Sequence, residues 1–273
     1  MGSGIAQLAA CSGFDTLLFD KDEITLENAK KFIPKNLDYL VDTHKISAEE
    51  KQEIFSRIRF TGKITDCTAF VIIEAIVENE EAKITLFNDL AEFNNEEVIF
   101  ATNTSSLSVS KMQDKIAFPQ RVIGMHFFNP AYIMKLVEVV KGKQTNPEVV
   151  EAVVQICRQM GKKPVVCEDS PGFIVNRIAR HYYLESLKIV EQQVASYEEV
   201  DEILEATGFK MGPFRLMDLI GVDINLAVTK TLYNSFNHAS RFAPSFLQEE
   251  KVKNHLLGKK TGEGFYNYRQ GLP

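Results

Sequence analysis

"MGSGIAQLAACSGFDTLLFD", residues 1–20, decides the fold. Gly2-Ser3-Gly4 opens an apolar helical run from Ile5 to Ala10, and Gly13 suits the left-handed residue that ends such a helix. "DTLLFD", residues 15–20, then reads as a buried strand ending in an acid. Glycine turn, helix, strand and carboxylate make up the second half of a dinucleotide-binding unit. In the fingerprint G-x-G-x-x-G the third glycine lets the helix pack closely on the first strand, and Gly2 takes that place. Asp20 stands where a carboxylate accepts ribose hydroxyls, which favours NAD over NADP, and Asp22 and Glu23 reinforce the preference. The preceding strand and the glycines that let the backbone approach a pyrophosphate are not among these residues. The expectation is therefore a Rossmann-type sheet with its first strand missing. "DTLLFD" and "FVIIEAIV" (residues 70–77) should border an open lane and not pair with each other. Weak NAD binding and an unstable first domain follow for the chain of 273 residues.

Strand-like and helix-like segments alternate onward from this stretch. Residues 22–56 are charged and helical in period with a break near "THKIS", and Ser47 with Glu50 forms a capping box. A helical hairpin standing out from the sheet is expected there. Strands follow in "FVIIEAIV", "VIFATNT", "RVIGMHFF", "KLVEVVKG" and "KPVVCED". "KITLFNDLAEF" is a helix, as is "NPEVVEAVVQICRQMG", with Pro147 in its first turn and Gly161 past its end. Continuously apolar, β-branched strands between helices point to a largely parallel sheet covered on both faces. The pattern changes near residue 168, where "SPGFIVNRIARHYYLESLKIVEQQVA" reads as one long helix with Ser170 as cap and Pro171 at its first position. "SYEEVDEILEATG" and "RLMDLIGVDINLAVTKTLYNSF" continue in helical period. Two domains are expected: an α/β domain over 1–168 and an all-helical domain over 169–273.

The chain is 45% hydrophobic and 25% charged, enough apolar content for a real core. A net charge of −6 provides no basic field for nucleic acid or a membrane surface. Cys11, Cys67, Cys157 and Cys167 form no C-x-x-C pair, so neither a metal site nor a disulfide framework is indicated. Reduced thiols in a cytoplasmic protein are the simplest reading. The longest apolar run, "AFVIIEAIV", is short and interrupted by Glu74, so no membrane span is expected.

The chemistry concentrates between Thr102 and Asn176. "ATNTSSLSVS" follows a strand and places Ser105 and Ser106 at its carboxyl end, the edge where parallel sheets bind ligands. His126 lies near the end of the next strand, and Glu138 follows on the one after. A tight return between the two strands brings the side chains together. Asn176 falls in the first turns of the helix that opens the second domain. Oxidising an alcohol requires a base for the hydroxyl proton, and histidine titrates near the working pH. A carboxylate on the second ring nitrogen fixes the tautomer and stabilises the imidazolium. Serine and asparagine can hold the reacting oxygen. On spacing alone a structural histidine, a solvent-facing Glu138 and an ordinary helix position for Asn176 remain open alternatives.

"MGSGIAQ", "EAIVE", "TNTSSL", "HFFNP", "LVEVV", "SPGFIVNR" and "KTGEGFYNY" occur in this order, and together they resemble the L-3-hydroxyacyl-CoA dehydrogenases, particularly the bacterial 3-hydroxybutyryl-CoA type. The resemblance implies a Rossmann-type NAD domain followed by a helical dimerisation domain, NAD as cofactor, an acyl-CoA substrate and a homodimer. It implies His126 as base with Glu138 as its partner. Ser105 and Asn176 would contact the 3-oxygen of the substrate, and Asn36, in the hairpin, the CoA moiety. Asp20 would hold the adenine ribose, with Glu78, Lys83 and Asn129 near the cofactor. "GFYNY" after Gly264 would pack the end of the second domain. Two other readings are a non-catalytic remnant that dimerises without NAD and a sister dehydrogenase acting on a sugar acid.

Overall fold

The computed structural model describes residues 1–269, and the chain divides into two compact units, Met1–Ser170 and the residues from Pro171 onward. The first unit runs α1 (Gly2–Cys11), β1 (Thr16–Phe19), α2 (Glu23–Asp42), α3 (Ala48–Ser56), β2 (Ile58–Thr61), β3 (Val71–Glu74), α4 (Glu80–Ala91), β4 (Ile99–Thr102), α5 (Val109–Gln113), β5 (Val122–Phe127), β6 (Leu136–Lys141), α6 (Pro147–Gln159) and β7 (Lys163–Glu168). Five strands form one sheet in the order β3-β4-β5-β6-β7, parallel except for β5 against β6. β1 pairs in parallel with β2, a strand the sequence reading passes over. Among the described residues β1 and β3 are not paired with each other, as the first twenty residues lead one to expect. The start of α1 sits between them: a Cβ on Gly2 would meet Ala75 Cβ at 3.9 Å and Leu18 Cδ1 at 4.0 Å.

Successive strand residues face opposite sides, and this divides the sheet into a packing face and a chemical face. Ile123, Met125 and Phe127 of β5 and Val137 and Val139 of β6 join Ile5, Leu8 and Ala9 of α1 and Val149, Val153 and Cys157 of α6 in one core. Each of the Val, Leu, Ile, Met and Phe side chains among them contributes about 1.5–3 kcal/mol on burial. Gly124, His126, Glu138 and Val140 therefore point to the other face. The hairpin α2–α3 is fastened to Ala10 of α1 by Ile33, Leu37, Ile54 and Ile58. Its Ser47–Glu50 capping box is formed as expected, and Gly13 and Gly161 both take positive φ beyond their helices.

The second unit consists of α7 (Val175–Glu191), α8 (Tyr197–Ala206), α9 (Pro213–Ile220), α10 (Val222–Ser235) and α11 (Phe246–Lys253). Here the sequence reading needs two corrections. α7 does not begin at Ser170 and Pro171. Gly172 and Phe173 adopt φ of 73° and 48°, left-handed values that a right-handed helix cannot contain, so helical pairing starts at Val175. "RLMDLIGVDINLAVTKTLYNSF" breaks at Gly221, whose φ of 104° separates α9 from α10. The core of this unit gathers Tyr183, Leu187, Val200, Phe214, Met217, Val222 and Phe265. The carboxylate of Asp218 accepts from Phe265 N and Tyr266 N, each at 2.9 Å, which fixes "GFYNY" where the sequence reading places it. Among the described residues no helix is long and apolar enough to cross a membrane.

Candidate active site

β5 and β6 run antiparallel, and their register sets His126 directly opposite Glu138. Directly opposed residues share a face, so the side chains meet: Nδ1 of His126 lies 2.8 Å from Oε2 of Glu138. Both are buried, at 6% and 1% exposure, so the contact is sheltered from solvent screening. Two residues before His126, Gly124 makes room on the same face. A Cβ there would stand 2.7 Å from Val140 Cβ and 3.2 Å from Val109 Cγ2 of α5. The end of β5 is pinned as well, because Phe127 N donates to Asn103 Oδ1 at 2.8 Å and Asn103 N donates to Glu74 O at 2.9 Å. A buried imidazole held by a carboxylate on one nitrogen is equipped to move a proton through the other.

The loop after β4 is organised by one carboxylate. Glu78 Oε1 accepts from Thr104 Oγ1 at 2.7 Å, Ser105 N at 2.9 Å, Ser105 Oγ at 3.2 Å and Ser106 N at 3.2 Å. Burial acts to raise the Glu78 carboxyl, but the Thr104 hydroxyl, the Lys83 ammonium and the Ser105 amide outweigh it and hold it below the usual glutamate value. Lys83 reaches Glu78 Oε2 at 3.2 Å, and Glu74 Oε1 and Oε2 at 2.8 and 2.9 Å. Glu74 also accepts from Thr102 Oγ1 and Ile76 N, each at 2.7 Å. Lys83 and Glu74 are fully buried, so the lysine acts as an internal tie between β3 and the Ser105 loop. The sequence reading treats Glu74 only as an interruption of an apolar run and omits Asn103. The signal for Glu74 was available: a charge inside a strand covered on both faces must have a buried partner.

Of the remaining first-unit residues, Asn36 and Asn129 lie beside α1. Asp20 directly follows β1, and its Oδ1 accepts from Asp22 N at 3.0 Å. Asn36 of α2 donates to Gln7 Oε1 of α1 at 3.1 Å, and Gln7 is buried. Asn129 is exposed and precedes Pro130 through a cis peptide bond. It lines a hollow of about 240 Å³ together with Met1, Ser3, Gly4, Phe32 and Tyr132. The amino end of α1 carries no side-chain cap and no acid in its first turn. Its amide donors and the positive end of its dipole suit a phosphate. That helix end, the Asp20 carboxylate and the polar loop after β4 fit a dinucleotide. Asn176 lies in the second unit, at the second residue of α7, and is half-buried.

Comparison with known proteins agrees with this chemistry. Residues 1–170 match the 3-hydroxyacyl-CoA dehydrogenase NAD binding domain, and residues 172–268 match the 3-hydroxyacyl-CoA dehydrogenase C-terminal domain. The chain is 44% identical to a 3-hydroxyadipyl-CoA dehydrogenase of Escherichia coli over 98% of its length, and it spans 57% of that longer protein. It is 38% identical to a probable 3-hydroxybutyryl-CoA dehydrogenase of Deinococcus radiodurans, covering 98% of this chain and 96% of that one. The crystal structure of (S)-3-hydroxybutyryl-CoA dehydrogenase from Ralstonia eutropha superposes with a TM-score of 0.95 at 35% identity, over 99% of this chain and 96% of the other. With both family domains matched in order and a buried histidine–carboxylate pair at the strand ends, the chain belongs to the 3-hydroxyacyl-CoA dehydrogenase family.

Proposed function

We propose that this protein interconverts an L-3-hydroxyacyl-CoA and the 3-ketoacyl-CoA with NAD. The observation that carries the reading is the 2.8 Å contact between His126 Nδ1 and Glu138 Oε2. With Nδ1 engaged, Nε2 moves the proton in this reading, and Glu138 holds the ring and stabilises the imidazolium as the substrate hydroxyl gives up its proton. NAD, when bound, accepts the hydride. Ser105 and Asn176 hold the 3-oxygen, and Asn36 meets the CoA moiety. Gly2, Asp20 and Asn129 border the cofactor, with Glu78 beside them. Lys83 serves that site through Glu78 and makes no contact of its own with the cofactor, in keeping with its burial. The names of the relatives leave the acyl group open between 3-hydroxybutyryl and 3-hydroxyadipyl.

The reading includes a cytoplasmic homodimer joined through the helical unit. Ile178, Val194, Ile203, Leu219, Ile224 and Phe246 of that unit are exposed, a supply of apolar surface that a second copy would cover. Sedimentation equilibrium tests it: a monomer at micromolar concentration rejects the dimer. The activity is tested by NADH oxidation with acetoacetyl-CoA beside a panel of keto forms of sugar acids. Turnover of acetoacetyl-CoA supports the proposal. Turnover of sugar acids alone, or dimerisation with no NADH binding, rejects it in favour of one of the other two readings.

A further inference from the structure

Lys162 is a buried cation that the mechanism above does not use. It is 8% exposed, and its Nζ donates to two main-chain carbonyls, Ala131 O at 2.6 Å and Met134 O at 2.9 Å. Burial draws its ammonium below the ordinary lysine value. A cation has been taken out of water to serve a single turn, Pro130–Met134, in the return between β5 and β6. Within that turn Pro130 O accepts from Ile133 N at 3.0 Å and from Met134 N at 2.9 Å. Ala131 O and Met134 O are met from outside it, by a charged donor whose hydrogen bonds are roughly twice as strong as neutral ones. The donor is itself fixed. Gly161 N donates to Arg158 O and Lys162 N to Cys157 O, each at 2.9 Å, the paired bonds that close a helix end around a left-handed glycine. Lys163 N then donates to Lys135 O at 2.7 Å as β7 joins β6.

The turn that Lys162 grips is also a wall. Ala131 is buried in the core with Ile5 and Leu8 of α1. A Cβ on Gly4 would meet Ala131 Cβ and Tyr132 Cδ1, each at 3.7 Å, so the turn lies flush on the first turn of α1. The Tyr132 ring stands edge-on to Phe32 of α2, with centroids 6.5 Å apart. Asn129 and Tyr132 line the hollow beside the amino end of α1. In the dehydrogenase reading, on which this inference rests, that hollow borders NAD. We infer that Lys162 is a positioning residue for the cofactor: by holding Ala131 O and Met134 O it keeps the Pro130–Met134 turn, and with it the wall of Asn129 and Tyr132, in the form that binds NAD. The His126–Glu138 pair does not depend on this grip, because main-chain pairing from Gly124↔Val140 to Phe127↔Val137 sets its register. Lys162 therefore serves cofactor affinity and leaves proton transfer alone.

The test measures KM for NADH and kcat with saturating acetoacetyl-CoA. Lys162→Met keeps the apolar stem and removes the ammonium. It should raise KM for NADH about tenfold, the effect of a turn that holds its binding form about one-tenth of the time. kcat at saturating NADH should stay within about twofold, as when binding common to ground and transition states is lost. A lower melting temperature is expected of any tie between two segments, so the split between KM and kcat decides. Tyr132→Ala changes the wall directly and should also raise KM for NADH. In the double variant the two increases should multiply to less than their product, because both act through one turn. An unchanged KM in Tyr132→Ala overturns the proposal whether or not Lys162→Met folds. A fall in kcat at unchanged KM in Lys162→Met overturns it too, as does strict multiplication in the double variant. Equal KM for NADH in the unaltered protein and Lys162→Met sinks this inference and leaves the dehydrogenase reading standing. No NADH oxidation with any 3-ketoacyl-CoA by the unaltered protein sinks both.

Discussion

Replacing Lys83 by methionine tests whether an internal ion network holds the Ser105 loop. Lys83 Nζ stands 2.8 and 2.9 Å from the two oxygens of Glu74 and 3.2 Å from Glu78 Oε2. At an effective dielectric of about 20, one pair of unit charges 2.8 Å apart interacts by about 6 kcal/mol before desolvation is subtracted. Glu74 and Lys83 are fully buried, so desolvation offsets much of that gain. Methionine matches the length of the lysine stem but leaves Glu74 charged beside Thr102 and Ile76 N, with a second carboxylate close by. Stranding a buried charge in this way costs about 3–5 kcal/mol, a large share of the 5–15 kcal/mol typical of a domain. Urea unfolding followed by circular dichroism should show that loss. Glu74→Gln added to Lys83→Met removes the stranded charge, so the double variant should be more stable than the sum of the two single losses by more than about 1 kcal/mol. A loss under about 1 kcal/mol for Lys83→Met, or strict additivity in the cycle, would refute an ion network as the tie between β3 and the Ser105 loop.

His126→Gln should lower turnover by about 10²–10⁴-fold while calorimetric titration finds NADH affinity nearly unchanged, and a large loss of NADH binding would count against a purely catalytic role. Glu78 has its carboxyl held below the ordinary value near 4.5, so it stabilises the fold above that value and the contribution fades as pH falls through the lowered one. Thermal melts from pH 6 down to pH 3 should therefore lose less stability in Glu78→Gln than in the unaltered chain, and parallel curves would refute it. Gly124→Ala pushes a methyl to 2.7 Å from Val140 Cβ and should cost about 1–3 kcal/mol by overpacking, with turnover reduced as the His126 strand shifts. Burial raises the Cys157 thiol to about 12 and those of Cys67 and Cys167 to about 11. Iodoacetamide at neutral pH should accordingly modify exposed Cys11 first, and peptide mapping that finds Cys157 labelled early would contradict the packing of α6.

The legible parts of the molecule are those where a period and a turn signal agree. Continuous apolar runs bounded by polar residues mark β3 to β7, and the capping box marks α3, because each signal is local and each partner is near in sequence. β2 escapes notice because "IRFT" is four residues with no clear alternation, and only its parallel pairing with β1 makes it a strand. The start of α7 is misplaced because Ser170 and Pro171 form a valid helix opening on their own. The left-handed turn at Gly172 and Phe173 overrides it, and nothing local in the sequence announces that turn. The candidate site divides in the same way. His126 and Glu138 can be paired on chemistry and strand order, since an antiparallel return fixes who faces whom. The pairing of Lys83 with Glu74 is harder to read, since nothing near either residue in the sequence names the other as its partner. What reveals it is the two-sided burial of the strand: a carboxylate that no water can reach must be answered by a cation inside the protein.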